Sequence, residues 1–190
     1  KANPGTGVPL EVCFALHTDA GYTYGDSLVG TLGICTTNFN DRLLGEGHSR
    51  YLSRDLTDMV LTGLIEDMNA GLGREWVYRG IWDKNYCESR EPQILSMLLE
   101  LLSHQNYWDV KLALNPNFRF MAARSIYKSI LKYESFLHDR SYVVQPLPIV
   151  DFRIEVSGSS TLDLSWEPAV DPLEPTASPR GYVVYTAVDD

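Results

Sequence analysis

Short apolar runs alternate with longer segments of helical periodicity along the first two thirds of the chain. Residues 10–16, 28–37 and 94–102 are short and apolar and are flanked by polar or turn-forming residues, which is typical of buried strands. Residues 49–68 and 116–136 place apolar side chains at offsets of three and four, as one face of a helix requires. This alternation predicts an α/β fold in which helices cover a sheet.

The chain changes character after residue 139. Two prolines fall within residues 140–149, and a residue before proline avoids the helical region, so we expect an extended linker there. Residues 152–156, 161–166 and 181–187 alternate apolar and polar side chains, which predicts strands. Three strands are too few for a β-sandwich, which usually needs about seven. We therefore predict an α/β domain over residues 1–139, a linker over 140–149 and an incomplete all-β domain over 150–190.

Composition excludes several classes of function. The 16 lysines and arginines against 25 aspartates and glutamates give a net charge of −9, whereas proteins that bind a phosphate backbone present a clustered basic surface. No apolar run reaches the roughly 18 residues of a membrane span. The three cysteines have no paired spacing and predict neither a disulfide framework nor a zinc knuckle. We expect no nucleic-acid partner and no membrane span, and the oligomeric state stays open.

Two residues at the ends of strand-like runs are candidates for chemistry. His17 follows residues 10–16, and Glu100 interrupts the apolar run of residues 94–102; open α/β sheets place their ligands at strand ends. A charged glutamate in an apolar run is costly unless it is paired, protonated or functional, although strand alternation can also turn it outward to water. A lone histidine after a strand is often a hydrogen-bonded loop residue. Taken singly, the two residues leave both interpretations open.

Three segments of the α/β part contain recognisable motifs. Residues 14–20 read F-A-L-H-T-D-A, residues 91–106 read E-P-Q-I-L-S-M-L-L-E-L-L-S-H-Q-N, and residues 121–126 read M-A-A-R-S-I. In this order they resemble the S-I-H-A-N-A, P-x-x-L-x-E-x-G-F-x-S-N and I-A-x-A-I-x-x-G-I segments of the zinc-dependent N-acetylmuramoyl-L-alanine amidases of the Amidase_3 type. The resemblance extends over about residues 8–136. A more particular likeness is to the amidase-like domains of large secreted Bacteroidetes proteins labelled xanthan lyase.

The resemblance implies a metal-dependent hydrolase that cleaves an amide bond in peptidoglycan, with Zn2+ as cofactor. His17 would be a zinc ligand through a neutral imidazole nitrogen. Glu100 would be the general base, which takes a proton from the zinc-bound water and returns it to the leaving amine.

Three further residues are candidates for substrate binding. Asp19 follows the His17 segment and is placed to orient the ligands around the metal, or it forms an ordinary turn. Arg90 lies just before the Glu100 run, where a substrate carboxylate would be met, or it forms a solvated pair with Glu91. His104 lies four residues after Glu100 and either lines the same cleft or caps the loop.

The chain departs from the family pattern at two places. Residues 101–103 replace the Gly-Phe that follows the family's glutamate, which implies a rebuilt loop. The family also has a histidine and a glutamate ligand before its S-I-H-A-N-A strand, whereas only sixteen residues precede His17. Because catalytic zinc sites use three protein ligands, we expect this chain to lack part of the metal site and to be an inactive fragment.

The last part of the chain resembles the start of a fibronectin type III domain, through T-L-D-L-S-W at residues 161–166 and G-Y-V-V-Y at residues 181–185. Such modules are common in secreted bacterial enzymes, which implies a secreted, periplasmic or cell-surface location. Two alternatives to the amidase interpretation remain. One is a non-catalytic cell-surface module that binds glycan or acts as a scaffold, and the other is a polysaccharide-degrading enzyme, as the xanthan lyase label would imply.

Overall fold

The structure of the chain is a computed structural model that describes residues 9–21 and 27–187. The chain divides into two compact units, Lys1–Leu137 and His138–Asp190. The strands and helices of the first unit are, in chain order, β1 (Val12–Asp19), β2 (Thr31–Cys35), α1 (Tyr51–Leu72), β3 (Tyr78–Asp83), α2 (Cys87–Arg90), β4 (Leu95–Ser103), α3 (Tyr107–Ala113) and α4 (Pro116–Leu137). Two 3-10 turns, Asn40–Arg42 and Gly45–Gly47, lie between β2 and α1.

The first unit contains a four-stranded mixed sheet in the order β1-β4-β2-β3. β1 is parallel to β4 and β2 is parallel to β3, whereas β2 and β4 are antiparallel. In this register Glu100 of β4 lies between His17 of β1 and Leu32 of β2. The predicted α/β class, a sheet with helices packed against it, is confirmed.

Strand β1 is longer than its apolar run indicates. We expected His17 and Asp19 to follow the strand in a loop, but β1 continues to Asp19. The reason is that Asp19 still pairs with Ser103 at the end of β4, after a register shift that follows the pair of His17 with Glu100. His17 therefore has the fixed position of a strand residue.

One group of helices packs against the sheet through a shared apolar core. The buried apolar residues of α1 recur at offsets of three and four and are Leu56, Val60, Leu61, Leu64 and Met68. They pack with residues of β4 and α4, including Leu99 and Phe118. Gly33 of β2 permits the close approach of α1, because a Cβ there would lie 2.6 Å from the Thr57 methyl group. Helix α1 ends where Gly73 adopts a left-handed backbone at φ 61°.

A second, smaller apolar cluster contains Leu32, Ile34 and Leu98, with Ala15 packed against it. Side chains two residues apart along a strand point to the same face of a sheet. His17 therefore shares a face with Ala15, and Glu100 shares a face with Leu98. The two candidate residues lie side by side at one end of this cluster.

The second unit contains an antiparallel hairpin of β5 (Val150–Gly158) and β6 (Thr161–Glu167), which pairs Ile154 with Leu164. Residues 140–149 contain neither helix nor strand. The strand predicted at residues 181–187 is wrong, because these residues pair with no described strand, although the ring of Tyr182 packs 5.2 Å from that of Trp166. None of the helices described is long and apolar enough to cross a membrane.

Candidate active site

Glu100 is a buried carboxylate with an unpartnered oxygen. It is 9% exposed, and its Oε2 atom has no hydrogen-bond partner among the described residues. Burial raises the pKa of Glu100, and the nearby charge of Asp19 raises it further, whereas His17, Arg79 and His104 act in the opposite direction. A carboxyl group with a raised pKa can exchange a proton nearer to neutral pH than an exposed one.

His17 lies beside Glu100 and is accessible from solvent. Its side chain is 41% exposed, and its Nε2 atom lies 3.8 Å from Oε1 of Glu88. Glu88 belongs to the short helix α2 and is 42% exposed. His17 therefore has two carboxylate neighbours: Glu100 on the adjacent strand β4 and Glu88 on helix α2.

Asp19 and Arg79 form an ion pair next to Glu100. The Arg79 Nη1 atom donates to Oδ2 of Asp19 at 2.6 Å, and the backbone N–H of Gly21 donates to Oδ1 at 3.1 Å. Arg79 comes from β3, on the far side of β2 from the β1–β4 pair, so its side chain links the two edges of the sheet. Both charges are about four-fifths buried, at 19% exposure each.

His104 lies in the loop that follows β4. Its backbone N–H donates to the carbonyl of Asp19 at 3.0 Å, and its ring Nδ1 lies 3.1 Å from the carbonyl oxygen of Thr18. The Ser103 hydroxyl donates to the carbonyls of Asp19 and Gly21. These contacts hold the end of β1 and the end of β4 together on the side where Glu100 lies.

Four of the five residues singled out in the sequence come together, and one has other partners. His17, Asp19, Glu100 and His104 interact within one group. Arg90 instead pairs with Glu91 at 2.6 Å, and its guanidinium lies 5.6 Å from the centre of the Phe39 ring.

Sequence reasoning missed Arg79 and Glu88. Arg79 lies in β3 where the pairing with β2 shifts register, and it reaches Asp19 from the opposite edge of the sheet; neither feature leaves a mark in the spacing of apolar residues. Glu88 reaches His17 because α2 forms one helical turn before β4, within a polar segment that lacks helical periodicity.

The donor atoms of this site match part of a zinc shell. Zinc bound by imidazole and carboxylate ligands at about 2.0–2.2 Å in tetrahedral geometry places its donor atoms roughly 3.4 Å apart, close to the 3.8 Å between His17 and Glu88. Within the described ranges, no third histidine, cysteine, aspartate or glutamate puts a ligand atom within 4.8 Å of both. His17 and Glu88 fit two positions of a shell that usually has three protein ligands.

Solved structures of similar fold are N-acetylmuramoyl-L-alanine amidases. The enzyme of Clostridium difficile 630 matches with a TM-score of 0.52 and 18% identity over 66% of this chain. AmiC2 of Nostoc punctiforme matches with a TM-score of 0.51 and 14% identity over 65% of it. The CwlD amidase of Clostridioides difficile, solved in complex with the GerS lipoprotein, has a TM-score of 0.51 and 17% identity over 71%.

The chain spans 58% of the length of each of these three amidases. No family model matches the sequence, and no curated protein matches it. At identities this low the likeness shows the fold, which is the mixed α/β fold of the amidases.

Proposed function

We propose that residues 1–139 belong to an amidase-like hydrolase domain of the kind that, in the intact protein, cleaves the bond between N-acetylmuramic acid and L-alanine in peptidoglycan. The observation that supports this best is the buried carboxylate of Glu100. Its Oε2 atom has no hydrogen-bond partner among the described residues, and Glu100 is paired in register with His17. The amidase fold and the motifs around both residues support the same reaction class.

Glu100 acts as the general base and then as the general acid. Its carboxylate accepts a proton from water while the water oxygen bonds to the amide carbonyl carbon. It then delivers that proton to the amide nitrogen as the C–N bond breaks, and the products are a carboxylic acid and a free amine. A raised pKa suits this exchange, because the protonated form must also be reachable near neutral pH.

His17 would hold Zn2+ through Nε2, and bound zinc lowers the pKa of its water and polarises the carbonyl. Asp19 and His104 bind and orient the substrate at the end of β1. Arg90 is proposed to bind a carboxylate of the peptide when it exchanges its partner Glu91 for the substrate. The protein works in a secreted, periplasmic or cell-surface compartment, where peptidoglycan is found. Residues 150–190 are proposed to be related to fibronectin type III domains, which the linker at 140–149 joins to the amidase-like part.

We expect the 190-residue chain to show no turnover on its own, because among the described residues only His17 and Glu88 are spaced to share an ion, whereas a catalytic zinc ion has three protein ligands. The proposal is therefore tested by binding. A phosphinate analogue of the muramoyl–L-alanine bond mimics the tetrahedral intermediate, and hydrolase sites bind such analogues at least about 100-fold more tightly than the substrate amide. Calorimetry with the zinc-loaded chain should show this preference.

The preference should fall in Glu100→Gln and persist in Glu66→Gln, a matched change at an exposed carboxylate of α1. Equal affinity for the phosphinate and the amide would instead identify a glycan-binding or scaffold module. Binding of neither, together with the release of unsaturated sugar ends from an acidic polysaccharide, would identify a lyase.

A further inference from the structure

We propose that Glu88 is a metal ligand and that, with His17, it forms a two-residue site for a divalent cation such as Zn2+. This inference rests on the proposed function and deepens it, because neither the motifs nor the fold assigns a role to α2. A carboxylate with an imidazole is a donor pair that suits zinc.

The two donor atoms are spaced for a shared ion. A displacement of a few tenths of an ångström brings the 3.8 Å between Nε2 and Oε1 to the roughly 3.4 Å of a tetrahedral zinc shell. Both side chains are about two-fifths exposed, so an ion with bound water can enter from solvent.

The backbone that carries Glu88 is anchored by buried polar contacts. The hydroxyl of Ser89, which is fully buried, lies 2.8 Å from that of Thr36, and the Ser96 hydroxyl donates to the Ser89 carbonyl at 3.0 Å. Thr36 follows β2 and Ser96 lies in β4, so α2 is fixed to two strands of the same sheet. Metal sites depend on this kind of support for their ligands.

Arg50 adds a second anchor to α2. Its side chain is fully buried, and its guanidinium donates to the Arg90 carbonyl at 2.8 Å and to the Leu43 carbonyl at 3.1 Å. Because these bonds fix the end of α2, only the side chain of Glu88 has to rotate when an ion binds.

Glu100 provides an independent indication of a ligand at this place. It is more than nine-tenths buried, its Oε2 atom has no partner among the described residues, and it is paired in register with His17. Glu88 lies 3.8 Å from His17, Glu100 is paired with His17 in the sheet, and the charge of Asp19, which pairs with Arg79, acts on Glu100. A divalent cation would offset the remaining negative charge.

The experiment is a zinc titration of the full 190-residue chain in competition with a chromogenic chelator. We expect Glu88→Gln and His17→Ala each to weaken zinc binding by at least about 10-fold, and the double variant to lose little more than either single one. Glu91→Gln removes the same charge three residues away and should change the affinity less than about 2-fold. Absorption of bound Co2+ in the visible region, as a second measurement, should change in Glu88→Gln.

Each outcome separates this inference from the proposed function. Loss of zinc affinity in His17→Ala with full affinity in Glu88→Gln would overturn the role of Glu88 and leave the amidase proposal standing. Equal weakening in Glu88→Gln and Glu91→Gln would overturn it as well, since the effect would be general electrostatics. Affinity that depends on neither His17 nor Glu88 would overturn both, and thermal melting of each variant confirms that it is folded.

Discussion

Two buried carboxylates near the end of β4 have opposite surroundings. Asp109 of α3 is 0% exposed, and it accepts backbone N–H groups from Val29 at 3.0 Å, Gly30 at 3.2 Å and Ser103 at 2.9 Å. Glu100 is nearly as buried, yet its Oε2 atom has no partner among the described residues. A carboxylate with three donors has its charge stabilised in place, whereas a buried carboxylate oxygen without a donor makes the ionised form costly.

The difference in hydrogen bonding indicates a structural role for Asp109 and a catalytic role for Glu100. Asp109 ties the segment before β2 to the end of β4 and so positions the loop that carries His104. Glu100 does nothing comparable for the fold, and its raised pKa adds to the cost of its position. Glu100 is a buried group that destabilises the fold, and it is paired in the sheet with His17, which solvent can reach. These two properties together make it a candidate catalytic residue.

The largest expected effect is on stability at Asp109. Asp109→Ala removes the acceptor of three backbone N–H groups and leaves them buried, so the free energy of unfolding should fall by about 4 kcal/mol. Urea unfolding followed by tryptophan fluorescence measures this change. A loss below about 1 kcal/mol would mean that water replaces the carboxylate and that the contrast with Glu100 is smaller than described.

The second effect is on binding at Glu100. Glu100→Gln should reduce the preference for the phosphinate analogue over the amide by about 100-fold, or about 2.7 kcal/mol, because the carboxyl group no longer exchanges a proton with the tetrahedral group. Calorimetry on the zinc-loaded chain gives both affinities, and Glu66→Gln in α1 is the control. An unchanged preference for the phosphinate over the amide would mean that Glu100 takes no part in binding the tetrahedral group.

The third effect is a pH dependence of stability. Because the pKa of Glu100 is raised in the folded protein, its neutral form stabilises the fold fully below the ordinary glutamate pKa, and this contribution is lost as pH rises through the folded pKa. Glu100→Gln should therefore gain stability relative to the wild type as the pH rises. Parallel urea titrations of the metal-free proteins, from about pH 4 near the ordinary glutamate pKa up to about pH 8, would refute this if the difference were constant.

The smallest effect concerns Arg79. Its positive charge lowers the pKa of Glu100, so Arg79→Gln should raise that pKa, and the loss of the partly buried pair with Asp19 should cost about 1 kcal/mol. Carbon-13 NMR of the glutamate carboxyl groups follows the titration, and thermal melting follows the stability. An unchanged or lowered pKa of Glu100 would contradict this electrostatic role of Arg79, because both the loss of the guanidinium and the unpaired charge of Asp19 act to raise that pKa.

Periodicity and apolar runs were enough to predict the long helices and the central strand. The helices predicted at residues 49–68 and 116–136 are Tyr51–Leu72 and Pro116–Leu137, and the run at 94–102 is β4. The motifs around His17 and Glu100 predicted that both residues belong to one active site, and the strand register places the two residues next to each other.

What could not be predicted depends on pairing between distant segments. The extension of β1 to Asp19, the reach of Arg79 across the sheet and the contact of Glu88 with His17 all follow from strand register and loop conformation. The strand expected at residues 181–187 has the right alternation, but a strand also needs a neighbour, and no described segment pairs with it. The alternation of apolar and polar residues indicates on which face of a strand each side chain lies, but it does not specify the strand with which that strand pairs.

A crystal structure of the zinc-loaded chain with the phosphinate analogue tests the central claim most directly. We expect zinc on Nε2 of His17 and a phosphinate oxygen within hydrogen-bond distance of Oε2 of Glu100, the atom that has no partner among the described residues. An analogue bound elsewhere, or an Oε2 atom hydrogen-bonded to a donor of the protein itself, would contradict it.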